Sequence, residues 1–483
     1  MINLLSKKTF YAFNLLIISY CGYSQGYEIQ LTLKPFTNSK IYLGYYYGKV
    51  KAVADSLILD ANSSGVFKGK DKLSGGIYFI VSPKKEILFE LLIDQQQKFS
   101  ISADSARLPA SIVFTGSPEN KSFLEYTSFM NIHGKSLAEL QVQLAQAKSK
   151  NDSAAIREKI KKVNEEVKTE RDEIENKDAN SLLATLLRAL KEPVVPPIPK
   201  LPNGRPDSTF AYRYYKAHYW DNISFTDDRL IRTPIFEPKL DHYYKDLVSP
   251  ESDSIDREID YMLVYSRTNK DMFKFLLVYF TQKYLNPEYM GQDAVFIHLF
   301  EKYINTGQAD FFTEKYRKFV DDRAYSIMAN LIGQPAANLE MTDTAGKVRT
   351  LYEVPANFVL ICFWDPTCSH CKETIPKLDS IYQAKWKYEG VQIFGVMVDG
   401  GQENWTNFIR AHNLGDWINV YQTTAQHDAV AAAGKPDYRQ LYDVYQTPIL
   451  YLLDKEKRIV AKKLTYQQVD EVINLKLKKV NTP

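Results

Sequence analysis

Through the first hundred residues apolar and polar positions alternate with a period of two, and that rhythm predicts strands. The runs EIQLTL, KIYLGYYY, DSLILD, GVFKG, GGIYFIV, EILFELLI, KFSIS and SIVFTG lie between Tyr27 and Gly116. They are short, rich in branched and aromatic side chains, and several are punctuated by Gly, Pro, Ser, Asn or Asp. A half-buried antiparallel strand shows one face to a core and the other to water, so residues 25–118 read as an all-β sandwich or curled sheet. The triplet Tyr45, Tyr46, Tyr47 could form a ligand platform, but rings in such a run more often pack against neighbouring strands.

At about Glu119 the period changes to that of a helix. Leu137, Leu140 and Leu144 recur at helical spacing, and KNDS offers Asn151, Asp152 and Ser153 as turn and cap residues. Ile156, Ile160, Val163, Val167 and Ile174 then form a second stripe, which predicts a helical hairpin with solvated outer faces. Its charge run KIKKVNEEVKTERDEIE is mixed in sign, as on a solvated helix, rather than a nucleic-acid patch. Six prolines in EPVVPPIPKLPNGRP, residues 192–206, predict an extended linker or strap in preference to a Pro-rich docking site. Segments 254–266, 271–284, 292–305 and 312–329 read as further helices, so 119–329 is taken as mostly helical, ending in a small bundle. His218, His242 and His298 are scattered without metal-ligand spacing.

From residue 330 the text turns to α/β. FVLICFW and VQIFGVMV are continuous apolar runs suited to strands buried on both faces, with helical text from Lys372 to Tyr388 between them. PILYLLD and RIVAKKL follow as a two-strand run, and TYQQVDEVINLKLKK closes as an amphipathic helix. Residues 330–483 are thus expected to form a mixed α/β layer domain.

Composition adds limits. A chain of 483 residues exceeds one ordinary core, so two to four domains are expected. Its 61 basic and 58 acidic residues nearly cancel, which removes any global field for nucleic acid or anionic membrane. Lys7 and Lys8 precede the apolar run FYAFNLLIISY, which is too short to cross about 30 Å of hydrocarbon. Residues 1–24 therefore read as a signal peptide cleaved near Ser24, with export to the periplasm. Cys21 would instead suggest an outer-membrane lipoprotein, the one route to a membrane, but bulky Tyr20 precedes it where lipidation wants a small residue.

Removing that segment leaves Cys362, Cys368 and Cys371, all within ten residues of one another. A secreted disulfide scaffold would have more cysteines, dispersed and evenly paired. Cys368-Ser-His-Cys371 follows a buried strand and opens a helix, whose free N–H groups and partial positive charge favour a thiolate. The outer sulfur, Cys368, gains most and can attack a disulfide; Cys371, one turn on, can close the ring. His370 either tunes Cys368 by charge or hydrogen bond, or is a solvent-exposed turn residue.

FWDPTCSHC with the following Pro376 resembles the thioredoxin superfamily, specifically the TlpA-like exported thiol–disulfide oxidoreductases. IGQPAANLEMTDTAGKVRTL, residues 332–351, is similar to the lead-in hairpin of that family, and YQTPILYLLD puts Thr447 and Pro448 at its cis-proline. The likeness covers about residues 330–483; the β-rich and helical regions before it resemble extensions found on such proteins in Bacteroidetes-type bacteria. By position, the resemblance makes Cys368 the nucleophile and Cys371 the resolving thiol. Trp364 would shape an apolar surface by the pair, Thr447 would offer backbone groups to an extended substrate, and a cis Pro448 would turn that backbone toward the sulfurs. Pro376 would kink the active-site helix. The implied cofactor is none beyond the Cys368–Cys371 disulfide itself. The implied partners are protein thiol or disulfide substrates and an unidentified redox partner.

Two positions depart from the family pattern. Cys362 stands where thioredoxins have a buried acid, and Thr374 where TlpA-like reductants often have glutamate, with Glu373 one position earlier. Proton transfer from Cys371 then falls to water, Glu373 or His370, while Cys362 reads as a packed core thiol rather than a third redox partner. The family favours reduction, as in cytochrome c maturation; the missing acid and His370 move the expectation toward isomerase or oxidase. Zinc would need about four ligands, and only one CxxC is present, with His412 and His427 off ligand spacing. A copper chaperone would be expected to use a wider CxxxC. A peroxidase relative would carry P-x-x-x-T-x-x-C, but Ile361 and Asp365 occupy those places. The alternative of another class is a binding or scaffold protein whose N-terminal domains carry the role.

Overall fold

A computed structural model describes residues 26–480, so the expected signal peptide and Cys21 lie outside the described residues. The chain divides into two compact units, one ending at Asp241 and the other beginning at His242.

In the first unit, eight strands form two four-stranded sheets: β1 (Glu28–Lys34), β2 (Lys40–Tyr47), β3 (Val50–Ile58), β4 (Ser64–Lys68), β5 (Gly76–Val81), β6 (Ile87–Ile93), β7 (Lys98–Asp104) and β8 (Val113–Thr115). One sheet has the order β4-β1-β7-β8, with β1 and β7 parallel; the other has β3-β2-β5-β6, all antiparallel. Alternate residues Ile29, Leu31 and Leu33 of β1 meet Ile41, Leu43, Ile80 and Leu91 of the other sheet in one core, as a sandwich requires. Strand β5 is buried along its whole length. Its second face is covered too: Ile77 and Leu92 of neighbouring β6 pack under Phe123 and Tyr126 of α1 (Pro118–Gln146) and Leu182, Leu183, Leu186 and Leu187 of α3 (Leu182–Ala189). The tyrosine triplet is cross-strand packing at two positions, Tyr45 on Tyr78 at 5.7 Å and Tyr46 on Phe79 at 5.1 Å between ring centres.

Helices α1 and α2 (Lys150–Lys177) form the expected hairpin, with Leu140 of α1 and Val167 of α2 buried. The cap differs from expectation. Ser149 accepts the Asp152 N–H at 3.0 Å, so Asn151, Asp152 and Ser153 lie inside the first turn. A serine side chain just ahead of the helix reaches the free N–H that residues already inside cannot. The proline-rich segment has no helix or strand, only one bridge between Lys200 and Pro206. Helices α4 (Phe210–His218) and α5 (Phe236–His242) follow.

The second unit starts with α6 (Ser252–Ser266), α7 (Lys270–Leu285), α8 (Asp293–Leu299), extended by a π turn to Ile304, and α9 (Glu314–Met328). Then comes a seven-stranded sheet. Its strands are β9 (Glu340–Asp343), β10 (Val348–Thr350), β11 (Phe358–Trp364), β12 (Val391–Met397), β13 (Ile418–Tyr421), β14 (Ile449–Asp454) and β15 (Ile459–Lys462), in the order β10-β9-β13-β12-β11-β14-β15. Strands β11, β12 and β13 are parallel, and β14 runs antiparallel to β11. The sheet is flanked by α10 (Ser369–Ile381), α11 (Gln402–Ala411), α12 (Thr424–Ala432), α13 (Tyr438–Leu441) and α14 (Tyr466–Val480). Strand β11 is buried on both faces because each has its own cover. Leu360, Cys362 and Trp364 pack with Ile375 and Leu378 of α10, Trp405 of α11 and Ile473 of α14. Val359, Ile361 and Phe363 pack with Tyr438 and Tyr442. That alternation sets which residues of FVLICFW lie beneath α10. No helix among the described residues is long and apolar enough to cross a membrane.

Candidate active site

The site begins where β11 ends. Asp365, Pro366 and Thr367 turn the chain, and the Asp365 carboxylate accepts both the N–H and the hydroxyl of Thr367 at 2.7 Å. The Cys368 N–H donates to the Asp365 carbonyl at 3.2 Å. These bonds deliver Cys368, with extended backbone (φ −68°, ψ 129°), to the N-cap of α10. Gly400, at φ +96°, lets the loop after β12 press on this turn, since a Cβ there would sit 2.5 Å from the Asp365 carboxylate.

The two sulfurs live in opposite environments. Cys368 is half-buried, while Cys371 is fully buried, and both are free thiols in this structure. The Cys371 N–H points at the Cys368 sulfur and is the main reason its pKa falls below the ordinary thiol value. The Thr447 hydroxyl and the His370 N–H add to that effect against a desolvation penalty. Burial pushes Cys371 up to about 11, despite a 3.4 Å bond from the Asp365 N–H and help from the Thr447 hydroxyl. Cys362 is raised well above its ordinary value by burial first and by neighbouring Cys371 second. The outer sulfur therefore ionises at lower pH than the inner one, an asymmetry that an attacking and a resolving thiol would need.

Thr447 and Pro448 are brought to the pair as the sequence placed them. Their peptide bond is cis, and the Thr447 carbonyl accepts from the Cys368 sulfur at 3.6 Å. Pro376 lies inside α10, where its missing N–H leaves the Lys372 carbonyl without its helical donor.

Three other expectations change. Trp364 is fully buried, its indole 5.2 Å from the Phe408 ring, on the same inward face of β11 as Cys362. It belongs to the core beneath the site and presents no surface to a substrate. The His370 imidazole is exposed, and what His370 offers the Cys368 sulfur is its backbone N–H rather than its ring. Glu373 is exposed two positions beyond Cys371, about 200° around the helix, so it faces away from the thiol it was expected to serve. No carboxylate is among the groups that shift Cys371. Among the described residues, no cluster of three or more His, Cys, Asp or Glu side chains could hold a metal ion.

Sequence reasoning gave Asp365 no structural role and passed over Gly400. The Asp365-Pro366 dipeptide is a turn signal that could have drawn attention to the first. Gly400 acts through a contact distant in sequence.

Residues 332–462 match the AhpC/TSA family, and residues 148–324 match a domain of unknown function, DUF5106. No curated protein matches the chain. Among solved structures, a domain of a possible thiol-disulfide isomerase from Cytophaga hutchinsonii is 36% identical, over 32% of this chain and 97% of that one, with TM-score 0.28. A thiol:disulfide interchange protein from a Bacteroides species is 29% identical, over 30% of this chain and 93% of that one, with TM-score 0.26. A thioredoxin-like protein from Bacteroides caccae is 22% identical, over 58% and 97%, with TM-score 0.44. A mixed sheet whose strand β11 runs into a Cys-Ser-His-Cys turn, together with the AhpC/TSA match across residues 332–462, makes the C-terminal region of this chain a member of the thioredoxin superfamily, of the TlpA-like kind.

Proposed function

We propose that this protein is an exported thiol–disulfide oxidoreductase that reduces or shuffles disulfides in extracytoplasmic proteins. The observation that carries the reading is the contrast between the two sulfurs: Cys368 at a helix N-cap with a lowered pKa, and Cys371 buried behind it with a raised one. Export rests on the apolar N-terminal run alone.

In the reducing direction, the Cys368 thiolate attacks one sulfur of a substrate disulfide. That S–S bond breaks, a Cys368–substrate disulfide forms, and the other substrate sulfur leaves as a thiolate. The departing thiolate takes up the Cys371 proton, which makes good the lack of a buried acid. Cys371 then attacks the Cys368 sulfur and the second substrate thiolate leaves. The substrate has gained two electrons, and Cys368 and Cys371 end as a disulfide. A partner dithiol protein must supply two electrons to restore them, and the reverse sequence oxidises a client. The Thr447 carbonyl, free of the Cys368 S–H once that thiol ionises, accepts an N–H from an extended client chain in this reading; its 3.6 Å distance from the Cys368 sulfur supports that role.

The test is insulin reduction driven by dithiothreitol. The wild-type chain accelerates precipitation of the insulin B chain and Cys368→Ser does not. Equal rates with both proteins would remove the reading.

A further inference from the structure

The loop that carries Thr447 is held by a helix far away in sequence. Within the second unit, the Arg323 guanidinium of α9 forms two bonds to the Asp443 carboxylate, Nη1 to Oδ1 and Nη2 to Oδ2, the latter at 3.3 Å. Lys463, just past β15, binds the same Oδ2. Asp443 is 2% exposed and Arg323 13%, so the pair is shielded from competing water. Burial alone would raise the Asp443 pKa, but the two cations hold it below the ordinary carboxylate value. Two more bonds run from α9 and the residues after it to α13, which leads into this loop: Ser326 Oγ to the Gln440 carbonyl at 2.5 Å, and Asn330 Nδ2 to the Leu441 carbonyl at 3.0 Å. The Arg323 guanidinium also lies 5.4 Å from the Tyr445 ring centre. Tyr445 is 73% exposed, two residues before Thr447.

We propose that Arg323 is a positioning residue for the thiol–disulfide site: through Asp443 it fixes segment 443–447 and so keeps Thr447 beside the Cys368 sulfur. Arg323 lies inside the region matching the domain of unknown function, and Asp443 inside the AhpC/TSA match. Helix α9 therefore acts as a support of the redox site. The inference rests on the oxidoreductase reading for its effect on turnover, but its effect on Cys368 reactivity stands without it.

The experiment compares wild type, Arg323→Gln, Arg323→Lys, Asp443→Gly and the double variant Arg323→Gln/Asp443→Gly in the full-length protein. Glycine suits position 443, where φ is +52°, so that variant removes the carboxylate without backbone strain. Alkylation of Cys368 by iodoacetamide is followed against pH, alongside kcat and KM for insulin and the melting curve. Arg323→Gln is expected to slow alkylation at pH 7 about threefold and to raise KM, and Arg323→Lys to restore most of both. Asp443→Gly should match Arg323→Gln, and the double variant should lose no more than either single change. Folded variants with wild-type alkylation profiles and KM would overturn the proposal, as would additive losses. Should Arg323→Gln not fold, Asp443→Gly decides. Failure of both to fold would make the contact structural only and the proposal wrong. Wild type that alkylates as expected yet reduces no insulin would count against the oxidoreductase reading and leave the positioning role to the alkylation data.

Discussion

The sulfur of Cys368 and the carbonyl oxygen of Thr447 lie 3.6 Å apart across 79 residues of sequence. With the N–H groups at the start of α10 on its other side, the sulfur has donors that favour its anion and a neighbouring acceptor that can pass to a substrate.

Reactivity should divide the two thiols. Iodoacetamide should modify Cys368 first, with half-maximal rate at a lower pH than for an ordinary free thiol. Cys371 should stay unmodified in the native reduced protein until the solution approaches about pH 11. Mass-spectrometric peptide mapping over a pH series checks this; early modification of Cys371 would reverse the roles.

Thr447→Val keeps the shape and carbonyl while removing the hydroxyl that lowers both thiols. Alkylation of Cys368 at neutral pH should slow about two- to fivefold, with the melting temperature little changed. An unchanged rate would show that the hydroxyl plays no part.

Reduced protein should lose stability in alkaline solution through Cys371. Its folded pKa, about 11, lies above the unfolded value, so the unfolded chain releases this proton first. The contribution is complete below about pH 8.5 and disappears as pH rises through about 11. Urea melts of reduced wild type against reduced Cys371→Ala check the sign: the difference between them should shrink as pH rises across that window.

The core residues beneath the site should matter for stability and little for chemistry. Cys362→Ala should cost about 1–2 kcal/mol and leave insulin reduction intact. Trp364→Ala should cost about 3–5 kcal/mol, whereas Trp364→Phe should fold and keep the wild-type KM. A KM change in a folded Trp364→Phe would return that ring to the substrate surface.

Much of this was legible because it is local. Alternation in EIQLTL and KFSIS, and the unbroken apolar run FVLICFW, report burial on one face or two, and these became β1, β7 and β11. The CxxC reading needed only a strand before and a helix after. What was missed is short or depends on distant partners. Strand β13 has four residues, too few to show a period, and β3 begins at Val50, five residues ahead of the apolar run that marked it. Trp364 looked like a surface beside the cysteines because proximity in sequence was mistaken for direction. The strand's two-residue period sends it inward with Cys362. Arg323 and Asp443 are 120 residues apart, and neither residue type at its position signals the other.

The most direct measurement is a redox titration of the full-length protein against glutathione buffers, with thiol trapping and mass spectrometry at each potential. The account predicts one two-electron transition in which Cys368 and Cys371 pair while Cys362 stays reduced. A Cys368 that never pairs with Cys371, or a transition that consumes Cys362 instead, would contradict it.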